Sequence, residues 1–367
     1  MCFEAGGAGC RGDACRSFFL RQVPLRTESG LKRPAQSIAE IALPTIAHLE
    51  KKAAAVKRGG SKDLRFRSLT WFASVGVVAI FAGVIASLLA GAMPAIKAYG
   101  FSFISSSAWN PVTEKFGALA AIYGTLVTSF LAMLLAVPVG IGIAIFLTEI
   151  CPRPLRRPIG IAIELLAGIP SIVYGIWGLF VFAPVFQQSL QPWLIDTFAD
   201  VPGLQDLFAG PPYGIGIFTA SFILSIMILP FISSVTRDVF ETVPATLKEA
   251  AYAIGCTTSE VMWRVVLPFS RSGVVGGAML ALGRALGETM AVTFVIGNAH
   301  HILPSLFAPG TTISATIANE FTEAVGDLYR SSQIEMGLIL FVITFIVLAS
   351  AQLMLRALER RAGGVSG

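Results

Sequence analysis

Six separate stretches of this 367-residue chain are apolar for long enough to cross a bilayer, and that limits the fold more than any other feature. They cover residues 69–93, 118–147, 159–186, 213–235, 273–296 and 336–355. A helix needs about 20 apolar residues to span the hydrocarbon layer. The second and third stretches are long enough to be tilted or broken. Backbone polar groups must be satisfied inside lipid, which leaves helices or closed barrels, and uninterrupted apolar runs exclude a barrel. Charged residues make up 13% of the chain, about half the share in soluble domains. The expected fold class is an all-α integral membrane protein with six transmembrane helices.

Basic residues set the expected orientation. Of the 27 Lys and Arg, 23 fall before the first span, in the 148–158 and 236–272 loops, or after Leu355. The opposite loops hold Lys97, Lys115 and Arg330. The positive-inside rule then puts both termini in the cytoplasm, and the net charge of +5 reports topology, not nucleic-acid binding. The first apolar run begins too far from Met1, and is too long, for a cleaved signal peptide, although Ala90-Gly91-Ala92 has small-x-small spacing. Cys2, Cys10, Cys15, Cys151 and Cys256 all fall on the reducing side and lack C-x-x-C spacing, so neither disulfides nor metal ligation are expected.

Residues 1–68 read as a flexible basic extension in which Pro24, Pro34 and Pro44 interrupt any long helix. Residues 46–56 have the pattern of a short amphipathic surface helix attracted to anionic membrane lipids. The membrane-embedded body covers 69–357 and a short tail 358–367. Two outer loops, 187–212 and 297–335, are long enough to meet an external protein. His300 and His301 are neighbours that point apart on a helix, and metal binding is not expected of them.

Arg284 and Glu288 are the charged residues of the fifth span. A charge at membrane depth costs at least roughly 2.5–3.5 kcal/mol, so such residues usually face a pathway or a partner. At i, i+4 spacing the two share a helix face and partly neutralise each other. The pair either lines a solute route or only stabilises helix packing. Gly273/Gly277 and Gly283/Gly287 are small-xxx-small pairs that admit a second helix backbone, which favours the buried route. In the third span Gly168-Ile169-Pro170-Ser171 predicts a kink or break, since proline removes a donor and disfavours helix before it. Broken helices often flank solute sites, and many are only packing kinks.

The 236–272 loop predicts a compact elbow. Pro244 suits a first helical position, a short helix follows, and Gly255 is a stop. Thr257 and Glu260 have capping-box spacing and open a second helix running to Leu267 before Pro268. Either a partner docks on this elbow or it is an incidental hairpin. The chain has no G-x-x-x-x-G-K-[ST] loop, no H-E-x-x-H and no G-x-S-x-G. It is therefore not expected to be an enzyme or to hold a cofactor, and energy for uphill transport has to come from another subunit.

Glu249-Ala250-Ala251, Gly255 and Val265-Val266-Leu267-Pro268 resemble the EAA loop of ABC importer permeases, with Val265 in place of the usual isoleucine. The runs Arg237–Glu241, Gly255–Thr258, Gly283–Thr293 and Ile169–Gly175 are similar to the PstC-type permeases of bacterial phosphate importers, and the similarity extends from about Leu69 to Leu355. The resemblance implies a type I ABC importer fold in the inner membrane. It implies a PstA-like second permease, a PstB-like ATPase dimer that uses ATP and receives the elbow, and a PstS-like periplasmic phosphate-binding protein. It also implies a tie to phosphate-signalling proteins, and a role for Arg284 and Glu288 in phosphate translocation. Another oxyanion as cargo (molybdate, sulfate or phosphonate), or a mainly phosphate-sensing scaffold, is the competing reading.

Overall fold

A computed structural model describes the backbone of residues 36–363 and the side chains of residues 65–357. Cys2, Cys10, Cys15, Pro24, Pro34 and most of the basic extension lie outside the described residues. The chain divides into two units, residues 1–79 and 80–367. In the first, the described backbone belongs to helix α1 (Gln36–Tyr99). The helix continues across Pro44, where the sequence predicted an interruption. Proline removes one i→i−4 bond there, and the Ala- and Lys-rich residues that follow are strong helix formers.

The second unit holds the C-terminal part of α1, the short helices Ser102–Ser105 and Leu204–Phe208, and α2 (Leu119–Ile150), α3 (Arg153–Ala167), α4 (Ser171–Phe198), α5 (Ile217–Glu241), α6 (Ala245–Ala253), α7 (Thr258–Leu286), α8 (Met290–Thr293), α9 (Ile313–Glu320) and α10 (Asp327–Gly363). Six spans are long and apolar enough to cross a membrane, one in each of α1, α2, α4, α5, α7 and α10. The chain is a multi-pass membrane protein.

Helix α5 is the centre. Two-thirds of its most apolar stretch is buried, against 6% for α10, so α5 is surrounded by protein while α10 keeps its apolar surface open. Ile223, Leu224, Met227, Ile228 and Ile232 of α5 pack on Ala132 and Ala136 of α2 and on Ala281 and Ala285 of α7. Small residues facing large ones let the helix backbones approach, which drives association where water supplies no hydrophobic force. At Gly140 of α2 an added Cβ would come 2.7 Å from Ile232.

The third and fifth spans differ from their sequence-based limits. Residues 159–167, expected in the third span, belong to the separate helix α3, and the span itself is α4, starting after Pro170 and running on to Phe198. Much of the expected 187–212 loop is therefore helical. Proline at 170, with φ −56° and ψ 136°, ends α3 at Ala167, and the Tyr174 hydroxyl reaches back to donate to the freed Leu166 carbonyl at 2.9 Å. The fifth span begins earlier, at Thr258, and ends earlier, at Leu286. Pro268 was expected to stop a helix and does not. A π-turn over Met262–Val266 precedes it, with the Leu267 N–H bonded to the Met262 carbonyl, and this wider turn carries the helix past a residue that has no donor.

At one end of the bundle a serine of α10 bridges two turns of α1. The Ala95 N–H donates to Ser331 Oγ at 3.0 Å, and that hydroxyl donates on to the Gly91 carbonyl at 2.8 Å. These two bonds tie the helices together.

Candidate functional site

Arg284 lies in the last turn of α7, and Glu288 lies past its end. This corrects the expectation of a continuous helical face. The helix stops at Gly287 (φ −92°, ψ 0°), and Glu288 and Thr289 lie outside any helix before α8 begins. Glycine at 287, with low helix propensity, gives the chain a place to leave the helix. Glu288 makes no ion pair with Arg284. Its Oε1 accepts from the Ala291 N–H at 3.4 Å, so its negative charge is placed at the start of the four-residue α8.

Arg284 is exposed in this single chain and makes no ion pair with any described residue. It shares an open strip of α7 with Gly276, Leu280 and Gly287. An added Cβ at Gly276 would meet nothing within 4 Å, and Leu280 is 62% exposed. Beside that strip, Gly273 and Gly277 are covered. Added Cβ atoms there would come 2.5 Å from Val239 and 2.7 Å from Val235 of α5, so this small-xxx-small pair does admit a second backbone. Gly283 faces Leu348 of α10 at ordinary contact distance, and Gly287 is exposed. The α7 face is therefore half sealed against α5 and half free at the arginine.

The two backbone breaks meet. Helix α8 packs on the first turns of α4, where an added Cβ at Gly175 would lie 3.1 Å from the Met290 carbonyl oxygen. The Gly168–Pro170 break is about one and a half turns from that contact. Interrupted helices often flank solute sites in transporters.

At the other end of α7, the elbow has the expected form. Helix α6 follows Pro244, which stands at the N-cap, one residue before the position the sequence suggested. Gly255 has φ +89°, a conformation that L side chains avoid. Thr257 and Glu260 form the capping box from both directions. Ala251 is buried in an apolar cluster with Ala144 of α2, Phe240 of α5 and Val261, Met262 and Val266 of α7. Glu249, Ala250 and Pro268 are exposed and Leu267 is partly buried. Of the EAA residues, then, one alanine seats the elbow while Glu249 and Ala250 look outward. Ile254 at 82% and Trp263 at 63% exposure add an apolar surface beside them.

Sequence reasoning missed what fixes this elbow. Lys248 Nζ lies 2.6 Å from Glu149 Oε1, with side chains only 19% and 12% exposed. The two residues are 99 positions apart, and no local signal pairs them. A second unforeseen pair joins Arg237 of α5 to Glu164 of α3 at 2.8 Å.

A third cluster forms at the end of the bundle away from the elbow. The Glu320 carboxylate accepts from Trp109 Nε1 at 2.7 Å and from the Tyr329 hydroxyl at 2.7 Å, and His300 Nε2 lies 3.2 Å away. The Trp109 and His300 rings stack at 5.3 Å. Burial opposes ionisation of Glu320, but the hydrogen bonds from His300, Tyr329 and Trp109 outweigh it and hold the carboxyl below the usual carboxylate range. This arrangement straps the 106–117 segment onto α9.

Residues 136–364 match the family of binding-protein-dependent transport system inner membrane components. The chain belongs to that family. It is 64% identical over 327 residues to the phosphate transport system permease protein PstC of Mesorhizobium japonicum, covering 89% of this chain and 99% of the relative. It is 56% identical to the PstC of Pasteurella multocida (82% and 94% covered) and 36% identical to the probable PstC of Methanocaldococcus jannaschii (77% and 90% covered). The fold is also that of a permease in the crystal structure of a bacterial alginate ABC transporter bound to its periplasmic protein, with TM-score 0.55, 19% identity and coverage of 81% and 96%. This family member is thus a type I ABC importer permease, a subunit of a transporter complex with an ATPase and a periplasmic binding protein.

Proposed function

We propose that this chain is the PstC-type permease of an ATP-driven importer that carries inorganic phosphate across the bacterial inner membrane. Its partners would be a PstA-like permease, a PstB-like ATPase dimer on which ATP is hydrolysed, and a PstS-like binding protein. Both termini and the elbow face the cytoplasm, in keeping with the basic loops. The observation that carries the cargo is similarity to PstC over nearly the whole length of both chains. Arg284 supplies the chemistry that fits it. A guanidinium presents a planar fork of donors matched to a multi-oxygen anion, and here it has no ion-pair partner among the described residues and lies on an open strip of α7.

The second permease covers the open strip of α7, so that Arg284 lines a passage between subunits. Phosphate released by the docked binding protein meets Arg284 beside the paired helix breaks. Glu288, four residues on and past the break, keeps a negative charge close by and shortens the stay of an anion that a lone arginine in a dry passage would retain. On the cytoplasmic side the exposed Glu249, Ala250 and Gly255 follow the ATPase, and Ala251, Leu267 and Pro268 pass that motion to α7.

Charge-assisted hydrogen bonds contribute about 1.5–3 kcal/mol. Arg284→Gln should therefore lower labelled phosphate uptake roughly 10–100-fold while the complex still assembles with its ATPase. Normal uptake by a variant of normal abundance would overturn the assignment. Competition by sulfate or molybdate at phosphate-like concentrations, with none by arsenate, would overturn the cargo.

A further inference from the structure

A carboxylate sits at the head of an otherwise apolar recess at the end of the bundle away from the elbow. The recess holds about 430 Å³ and is walled by Ile96 of α1, Gly100 and Ile104 beyond its end, Ile122 of α2, and Leu338 and Ile339 of α10, with Glu335 of α10 as its charged lining residue. Glu335 is 6% exposed, and its Oε2 is buried with no hydrogen-bond partner among the described residues. Buried polar groups are almost always paired, and an unpaired carboxyl in apolar surroundings is costly. The Gln333 side chain is also buried and unpaired, but residues two apart on a helix do not face each other, so it does not answer Glu335.

The position says what kind of group does. Glu335 immediately precedes the apolar run 336–355 of α10, which places it at headgroup depth with hydrocarbon beyond. The rim is open and apolar, with Phe101 91% and Ile104 45% exposed. Lys97, the neighbour of Ile96 in the last turn of α1, is exposed. The recess volume, about 430 Å³, falls within the range of small-molecule sites.

We propose that this recess binds one phospholipid whose head carries a primary ammonium and a phosphodiester, of the phosphatidylethanolamine class. The ammonium donates to Glu335, the phosphodiester meets Lys97, and one acyl chain lies along the apolar trough between α1, α2 and α10. Negative head, apolar trough and cation at the rim complement that lipid. An anionic phosphatidylglycerol head would bring no donor charge to the carboxylate, and a choline head has no N–H to give.

The test uses the complete transporter complex with the full-length chain, stripped of lipid in mild detergent. It is then offered an equimolar mixture of phosphatidylethanolamine, phosphatidylglycerol and phosphatidylcholine with identical chains. Native mass spectrometry counts what is retained. The wild type should retain phosphatidylethanolamine over phosphatidylglycerol roughly tenfold, the scale of one charge-assisted hydrogen bond. Glu335→Gln should abolish the preference. Lys97→Gln, at an exposed position, should weaken retention of all three lipids severalfold. Leu338→Trp, which fills the trough, should lose the bound lipid. Equal retention of the three lipids by the wild type, preference for phosphatidylglycerol, or an unchanged preference in a Glu335→Gln complex with wild-type melting behaviour would overturn the proposal.

Discussion

Replacing Glu149 by glutamine tests whether the elbow moves as a rigid attachment of the bundle. The ion pair from Lys248 to Glu149 is 2.6 Å long and both side chains are largely buried. Its neutral variant leaves an ammonium without a counter-charge in a site shielded by the apolar cluster around Ala251. Removing one partner of a buried pair costs about 3–5 kcal/mol, and the residual water contact at both ends argues for the lower figure. At about 3 kcal/mol the balance between seated and detached elbow shifts roughly 100-fold toward detachment. Amide exchange over residues 245–255 in the reconstituted complex should rise accordingly, and ATP hydrolysis should proceed with less phosphate moved per turnover. Pairing it with Lys248→Met gives a double variant with no unpaired charge, which should recover much of the loss as a coupled pair does. Unchanged exchange in Glu149→Gln, or a double variant losing the full sum of the two singles, would refute the reasoning.

The remaining expectations concern other contacts. Gly255→Val forces a β-branched residue into φ +89°, at a cost of roughly 1–3 kcal/mol in local strain, and should uncouple hydrolysis from uptake measured on the same vesicles. Gly277→Leu sets a side chain into the space of Val235. Overpacking of about 1–3 kcal/mol should appear as a lower melting temperature of the detergent-solubilised complex. Because Glu320 has its carboxyl pKa depressed by folding, its stabilising contribution is fully present above the ordinary carboxylate range. That contribution is lost as pH falls through the depressed value. The protection of amides over residues 106–117, corrected for intrinsic exchange rates, should therefore stay flat from pH 8 to 5 and fall only in stronger acid. Glu320→Gln should lower it at every pH in that range, and wild-type protection that already falls above pH 5 would refute the assignment.

The number of spans and the elbow were legible in the sequence because both are local. Twenty apolar residues report a crossing whatever they pack against, and Gly255, Thr257 and Glu260 fix their own turn and cap through contacts a few residues long. Pro170 likewise announced its break. The sequence failed where a local signal was answered by something distant or cooperative. The spacing of Arg284 and Glu288 reads as one helical face, yet the helix ends at Gly287, because glycine permits an exit and the packing of α8 on α4 makes use of it. Pro268 reads as a stop, yet a π-turn carries the helix past it. Glu149 and Lys248, Glu320 and Trp109, and the walls around Glu335 are joined across 99, 211 and more than 200 positions. Such pairings depend on which helices lie side by side, and that is decided by small residues interlocking over whole helix faces, a property of the assembled bundle that no single segment carries.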